Sequence, residues 1–300
     1  MSTNQGCKGL IPRTQIEHKF LYYYLSSIVD LLNSLGTGAT FKELSGGKLK
    51  EVPIPLPPLP EQQRIVGILD EAFAAIASAK AKAEQNLKNA RALFESHLNE
   101  VFTQRGEGWV ETKLEEVCAI TSVLVDPRNE VFLDLTHVGA GNIVSKTGVF
   151  VDLKTAREEE LISGKFIFDE TMVLYSKIRP YLMKVARPDF KGLCSADMYP
   201  LSPIKNIVTR DYLFHLLLSK QFTDYAILGS ARAGMPKVNR EHLFEFKTWL
   251  PDVKIQKDIA AKLDDLHAET RRLESLYQRK IEELDALKKS LLEQAFSGQL

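Results

Sequence analysis

The 300-residue sequence is short of cysteine, histidine and long apolar runs, and it carries no excess of either charge. Cys7, Cys118 and Cys194 are odd in number and far apart. They form neither a disulfide framework nor a zinc spacing, so a reducing, cytoplasmic setting is expected. The apolar stretch from Phe20 to Leu32 is interrupted by Ser26, Ser27 and Asp30 and is too short to span a bilayer. A charged-then-apolar signal segment is missing at the N-terminus. Lys and Arg number 39, balanced by 39 Asp and Glu, which argues against a partner held by bulk charge and leaves only local charge patterning.

Catalytic motifs are missing as well. Gly47-Lys48 and Gly164-Lys165 lack the upstream glycine and the following Ser or Thr of a phosphate-binding loop. Pro57-Pro58 runs into Leu59 rather than an aromatic residue, so the Asn/Asp-Pro-Pro-aromatic signature of amino-methyltransferases is not there. His18, His97, His137, His215, His242 and His267 are isolated. Ser195, beside Cys194 and Asp197, has neither a nearby histidine nor nucleophile-elbow glycines. No catalytic and no metal-binding residue is expected.

What the chain does hold is a repeat. A proline-rich stretch, Pro53-Ile54-Pro55-Leu56-Pro57-Pro58-Leu59-Pro60, leads through Glu61-Gln62-Gln63-Arg64-Ile65 into a long segment free of proline. The pattern returns 194 positions later, where Trp249-Leu250-Pro251, Gln256, Ile259, Leu263 and Asp264 match Pro55-Leu56-Pro57, Gln62, Ile65, Leu69 and Asp70. Leu98 matches Leu292, and Phe102 matches Phe296. Apolar residues in both copies recur in steps of mostly four and three, the seam of a coiled coil. That seam comprises Ile65, Leu69, Ile76, Leu87, Phe94 and Leu98 in the first copy. In the second it comprises Ile259, Leu263, Leu266, Leu273, Ile281, Leu284, Leu287 and Leu291, with polar Thr270 at one position. A helix of roughly 40 residues cannot bury such a stripe alone, so the two are expected to pair antiparallel.

Each long helix is preceded by the same grammar. Phe20 to Leu35 reads as a helix followed by a glycine loop and a short strand at Leu44 to Leu49; Tyr212 to Leu218 and the loop 230–235 repeat it. Between the long helices, short apolar runs at 131–138, 148–153, 165–168, 172–176 and 181–185 suggest strands of a mixed sheet, and 154–161 and 210–226 suggest helices. The expected fold is therefore α+β: one mixed α/β domain at 107–250, plus two long helices at 52–106 and 251–300 forming an antiparallel coiled-coil spacer. Residues 1–51 read as the closing remnant of a further domain.

Two segments of the middle domain are locally basic although the domain balances overall. Lys177, Arg179, Lys184, Arg187 and Lys191 face Asp189 alone, with Tyr181 interleaved. Arg232, Lys237 and Arg240 stand with Asn239 and no acid. Cations on loops suit phosphate, and Arg, Lys, Asn and Tyr can reach base edges; a solvated surface would carry the same charges.

Taken together, the segments Gly36-Thr37-Gly38-Ala39-Thr40-Phe41-Lys42-Glu43-Leu44-Ser45 and Ile54 to Ile65, with Leu174-Tyr175-Ser176-Lys177-Ile178-Arg179-Pro180-Tyr181-Leu182 and Gly192-Leu193-Cys194-Ser195, resemble the specificity (S) subunits of type I restriction–modification enzymes. The resemblance implies a non-catalytic, sequence-specific DNA-binding subunit in which the domain at 107–250 is a target-recognition domain reading one half-site. It adds Ser176 to the candidate DNA contacts. It also implies methyltransferase (M) and restriction (R) subunits as partners, with S-adenosylmethionine, ATP and Mg²⁺ on those partners and no cofactor here. Only one complete recognition domain is legible, which points to a half-sized form acting as a homodimer, with no membrane association. Two other readings stay open on the residues alone: a coiled-coil scaffold that does not bind DNA, and a standalone methyltransferase or nuclease.

Overall fold

The computed structural model describes residues 7–38, 43–230 and 235–300. The chain divides into two units, Met1–Ala90 with Arg272–Leu300, and Arg91–Arg271. Parts of both expected glycine loops, 39–42 and 231–234, lie outside the described residues, and Arg232 with them.

The first unit opens with α1 (His18–Ser27) and α2 (Val29–Leu35), so the single expected helix is broken at Ile28. Glu17 caps α1 by accepting the Phe20 amide at 2.6 Å. The strand expected at Leu44 to Leu49 is instead a short helix, α3 (Gly46–Lys50), because the Ser45 hydroxyl caps it by accepting the Lys48 amide. The first long helix, α4 (Leu59–Thr103), has 45 residues. Its prolines cluster ahead of it or in its first turn, where an amide would have no partner, and the Glu61 and Gln62 amides reach back to the Pro58 carbonyl. In this unit α4 packs on the second long helix, Val253–Ser297. Ile65, Val66 and Leu69 share a core with Leu292, Ala295, Phe20 and Tyr23, and further along Lys80 pairs with Asp285 at 2.7 Å. Partners descend in number on one helix as they rise on the other, so the pair is antiparallel.

The second unit carries the sheets. β1 (Val110–Lys113) is followed by α5 (Leu114–Val117), β2 (Cys118–Ala119), β3 (Leu124–Val125), β4 (Thr136–Val138), β5 (Lys154–Thr155), β6 (Lys165–Phe168), β7 (Val173–Ser176), β8 (Val185–Ala186), β9 (Gly192–Ser195) and β10 (Met198–Pro203). Then come α6 (Arg210–Leu218), α7 (Lys220–Leu228), α8 (Arg240–Phe244), β11 (Lys247–Leu250) and α9 (Val253–Ser297). Three sheets result, ordered β1-β11, β2-β10-β7-β8 and β3-β6-β9-β4-β5. Only the β4–β9 pair is parallel among these strands.

Expected boundaries shift where side chains or loops take the backbone. At 154–161 no helix forms, because the Ala156 and Arg157 amides donate to Leu135 and Leu133 instead of a helical ladder. At 148–153 the pairing is reduced to an isolated bridge between Ile143 and Phe150. Residues 130–132 and 180–182 turn as 3₁₀ helix before their strands. The expected helix 210–226 splits at Ser219, whose hydroxyl caps α7 through the Phe222 amide.

Burial along the expected coiled-coil seam is graded. Ile65, Leu69, Ile76, Phe94, Leu98 and Leu263 are buried, while Leu87, Ile259, Leu266, Leu273, Ile281, Leu284 and Leu291 are half-buried. Leu287 departs from it, lying 47% exposed. In the second unit Phe94 stacks on His267, with ring centroids 4.7 Å apart, and Leu98 shares a core with Leu263.

The repeat is also one of hydrogen bonds. Both long helices have 45 residues and open 194 positions apart. Gln62 is fully buried; its Oε1 accepts the Glu17 amide, and its Nε2 donates to the Gln15 and Pro57 carbonyls. Gln256 is fully buried too, accepting the Thr209 amide and donating to Ile207 and Pro251. The residues they hold, Glu17 and Thr209, cap α1 and α6. Aromatic rings close each arrangement: Phe20 meets Phe296, and Tyr212 meets Phe102, both edge-on at 5.2 Å.

The graded seam separates two substitutions. Leu69→Glu places an unpaired charge at a site with no solvent access and is expected to cost about 3 kcal/mol or more, whereas Leu284→Glu should cost roughly 1 kcal/mol; equal losses in urea unfolding would refute the packing. His267 gives a pH signature. Burial, with His215 and Arg271 beside it, pushes the imidazole down to about 4. It stays neutral in the fold but takes a proton in the unfolded chain below about 6.5. Stability is therefore lost as pH falls from about 6.5 towards 4. His267→Phe, which installs the residue found at matching position 73, should remove part of that slope, on the order of 1 kcal/mol given partial solvent access.

Candidate nucleic-acid interface

The two basic segments lie far apart in sequence, but backbone pairing lays them side by side. After β7, the Lys177 amide donates to Asp197, and the Lys177 carbonyl accepts the Val238 amide at 2.8 Å. Ile178 bridges to Lys237, and the Arg179 amide donates to Pro236 at 2.9 Å. The chain then turns through 180–182 between two residues in the left-handed region, Arg179 (φ 50°) and Met183 (φ 48°). Side chains other than glycine adopt that region at an energetic cost and persist there when surroundings impose it.

This pairing gathers cations around one carboxylate. The Lys177 and Lys237 amines each lie 3.7 Å from Asp197 Oδ1. Lys177 also contacts the Ala196 carbonyl and sits 5.3 Å over the Tyr199 ring. Arg240 lies 5.8 Å from the Phe166 ring and 5.9 Å from that of Tyr199. Burial, with the Lys237 ammonium beside it, holds the Lys177 amine below its ordinary value. Arg179 is exposed, and among the described residues its side chain has no hydrogen bond or ion pair. Lys237 and Arg240 are exposed as well, and Tyr181 is 52% exposed. Such a surface can hold phosphate oxygens with its amines and leaves a guanidinium open to a base edge.

Other candidates are spent elsewhere. Ser176 is 2% exposed and donates to the Ile178 carbonyl, so it shapes the loop instead of facing a ligand. Lys184 donates to the Ala140 carbonyl. Asn239 caps α8, accepting the His242 amide at 2.7 Å. Arg187 is the clearest departure: its guanidinium meets Asp264 at 2.7 and 3.0 Å, Asp211 at 2.8 Å and the face of Phe214. Burial alone would raise the Asp264 carboxyl, but hydrogen bonds from His215 and Arg187 hold it well below the usual carboxylate range. Arg187 thus fastens the sheet-bearing body to α9. Reading by composition missed Asp197 and Tyr199, the floor of the cluster, and the Asp264 clamp. The match of Asp264 with Asp70 in the repeat was the one available signal for the clamp.

Comparison with known proteins settles which family this is. The profile of the type I restriction modification DNA specificity domain matches residues 1–89 and 106–283. This chain belongs to that family. It is a DNA-recognition subunit of a restriction–modification system. Among similar relatives, the type I restriction enzyme EcoDI specificity subunit of Escherichia coli is 28% identical over 318 residues, covering 95% of this chain and 70% of the relative. The MjaIX specificity subunit of Methanocaldococcus jannaschii is 30% identical over 150 residues, 45% of this chain and 35% of that one. In fold, the chain is similar to the HsdS subunit from Thermoanaerobacter tengcongensis, with a TM-score of 0.58 at 21% identity over 95% of this chain and 71% of that one. It is also similar, with a TM-score of 0.74 at 19% identity, to a chain from a study of complex assembly and conformational transition of the type I R-M system, covering 94% of this chain and 71% of that one.

Within this specificity-family chain the Gly192 motif has a steric reason. A Cβ at 192 would lie 2.5 Å from the Thr136 carbonyl and 2.6 Å from the Phe168 ring, so glycine lets β9 lie against β4. No helix among the described residues is long and apolar enough to cross a membrane.

The surface separates two kinds of variant. Lys237→Ala is expected to weaken binding to all duplexes and flatten the salt dependence by about one unit. Arg179→Ala should cost roughly 1–3 kcal/mol at one position of the target. Wild-type affinity and salt slope in both variants would remove this face from the interface.

Proposed function

We propose that the chain reads one half of a bipartite DNA sequence through the paired segments 177–184 and 235–240. It acts in the cytoplasm as a non-catalytic subunit to which methyltransferase (M) and restriction (R) subunits attach. S-adenosylmethionine, ATP and Mg²⁺ then belong to those partners. The observation that carries this reading is the convergence of Lys177 and Lys237 on Asp197, with Arg240 over the neighbouring Tyr199 ring and Arg179 without a side-chain partner among the described residues, in a chain of zero net charge.

The same reading makes the working form a two-fold homodimer. Among the described residues the chain carries the helical closing element twice but a sheet-bearing body once. Equivalent surfaces differ in cover accordingly. Tyr22 of α1 is 65% exposed while its counterpart Phe214 of α6 is 2% exposed, and Leu56 is 59% exposed against 8% for Leu250. A second copy can cover this open apolar face, and closed two-fold pairing is the commonest solution for identical chains. The expected target is an interrupted palindrome. Sedimentation at micromolar concentration, with mapping of methylated adenines in cells that hold its M subunit, tests this: an asymmetric methylated site would reject the homodimer.

A further inference from the structure

Two large apolar side chains stand open beside Arg179: Tyr181, 52% exposed, and Met235, 54% exposed. Their placement is fixed by the backbone. The Arg179 amide donates to Pro236, next to Met235, and Tyr181 follows two residues later in the turn that Arg179 and Met183 bracket. The Ile178–Lys237 bridge and the Lys177–Val238 hydrogen bond hold the two segments in register. Both side chains lie on the paired segments that carry the cations Lys177, Lys237 and Arg240, so exposed apolar and cationic groups share these segments. The partner surface must therefore be anionic at its rim and apolar within. The major groove of a DNA duplex has that character, because phosphates line it and the thymine 5-methyl group is its one apolar feature.

We propose that Tyr181 and Met235 read thymine through its 5-methyl group, next to a guanine held by Arg179. A guanidinium matches the O6 and N7 acceptors of guanine. The flexible thioether of Met235 and the ring of Tyr181 offer the methyl an apolar contact. This assignment rests on the DNA-recognition reading above and adds to it the chemistry that separates one base pair from another.

The test replaces every thymine by uracil, which lacks only that methyl group. Randomised duplexes are made in both forms and selected on the full chain. The thymine library should enrich a motif with a G·C pair next to an A·T pair, and the uracil library should lose the preference at the A·T position about tenfold. Met235→Ala and Tyr181→Ala chains should select alike from both libraries. Met235 is exposed, so its variant keeps the test open if Tyr181→Ala misfolds. A wild-type motif identical in the two libraries overturns the thymine assignment while DNA recognition stands. No motif in either library overturns both.

Discussion

Everything in the fold hangs on a buried glutamine at the start of each long helix. Gln62 and Gln256 have no solvent access, and each uses both ends of its amide to tie three backbone groups from two segments. A buried amide left unsatisfied is costly, so the geometry that satisfies it is tightly specified. The glutamine sets where the proline lead-in meets the helix and where the capping residue of α1 or α6 sits. The short helix then lies against the long one, and the ring pairs Phe20–Phe296 and Tyr212–Phe102 complete the contact.

The aspartates one helical stretch further on show how a repeat diverges around a constant need. Asp70 accepts the Tyr23 hydroxyl at 2.5 Å and the Lys19 amine at 2.6 Å, both from the adjoining helix. Asp264 accepts His215 at 2.8 Å in the place of Tyr23, but its cation is Arg187 from the body between β8 and β9. Each carboxylate is more than a third exposed, and the cation beside it favours its charged form. In the first copy the adjoining helix supplies that cation alone; in the second, neutralising the carboxylate also anchors the sheet-bearing body.

The same economy produces a basic face in a neutral protein. Two basic runs far apart in sequence are brought together by the pairing of 177–179 with 236–238, with Asp197 between their lysines. Placement, not composition, creates the local field that attracts a polyanion. The same backbone pairing holds Arg179, at the start of the turn, in the left-handed region, which a loop free to relax would leave.

What the sequence determined by itself is whatever depends on short-range periodicity and on repetition: the two long helices, their seam, their antiparallel pairing and the shared element before each. Side-chain spacing along a helix is set locally, and a pattern written twice confirms itself. The tertiary structure decided what depends on who else is near. The strands at 110–113, 118–119 and 247–250 are too short for alternation to announce them, and they exist because partners across the chain complete their hydrogen bonds. The backbone at 154–161 is claimed by 133–135, which overrides a helical pattern. Arg187 and Arg179 are eight residues apart in one basic run, yet the first is closed in by Asp264 and Asp211 while the second is exposed, without a side-chain partner among the described residues. Charge alone could not separate them, because the carboxylates that capture Arg187 come from helices that only folding brings beside it.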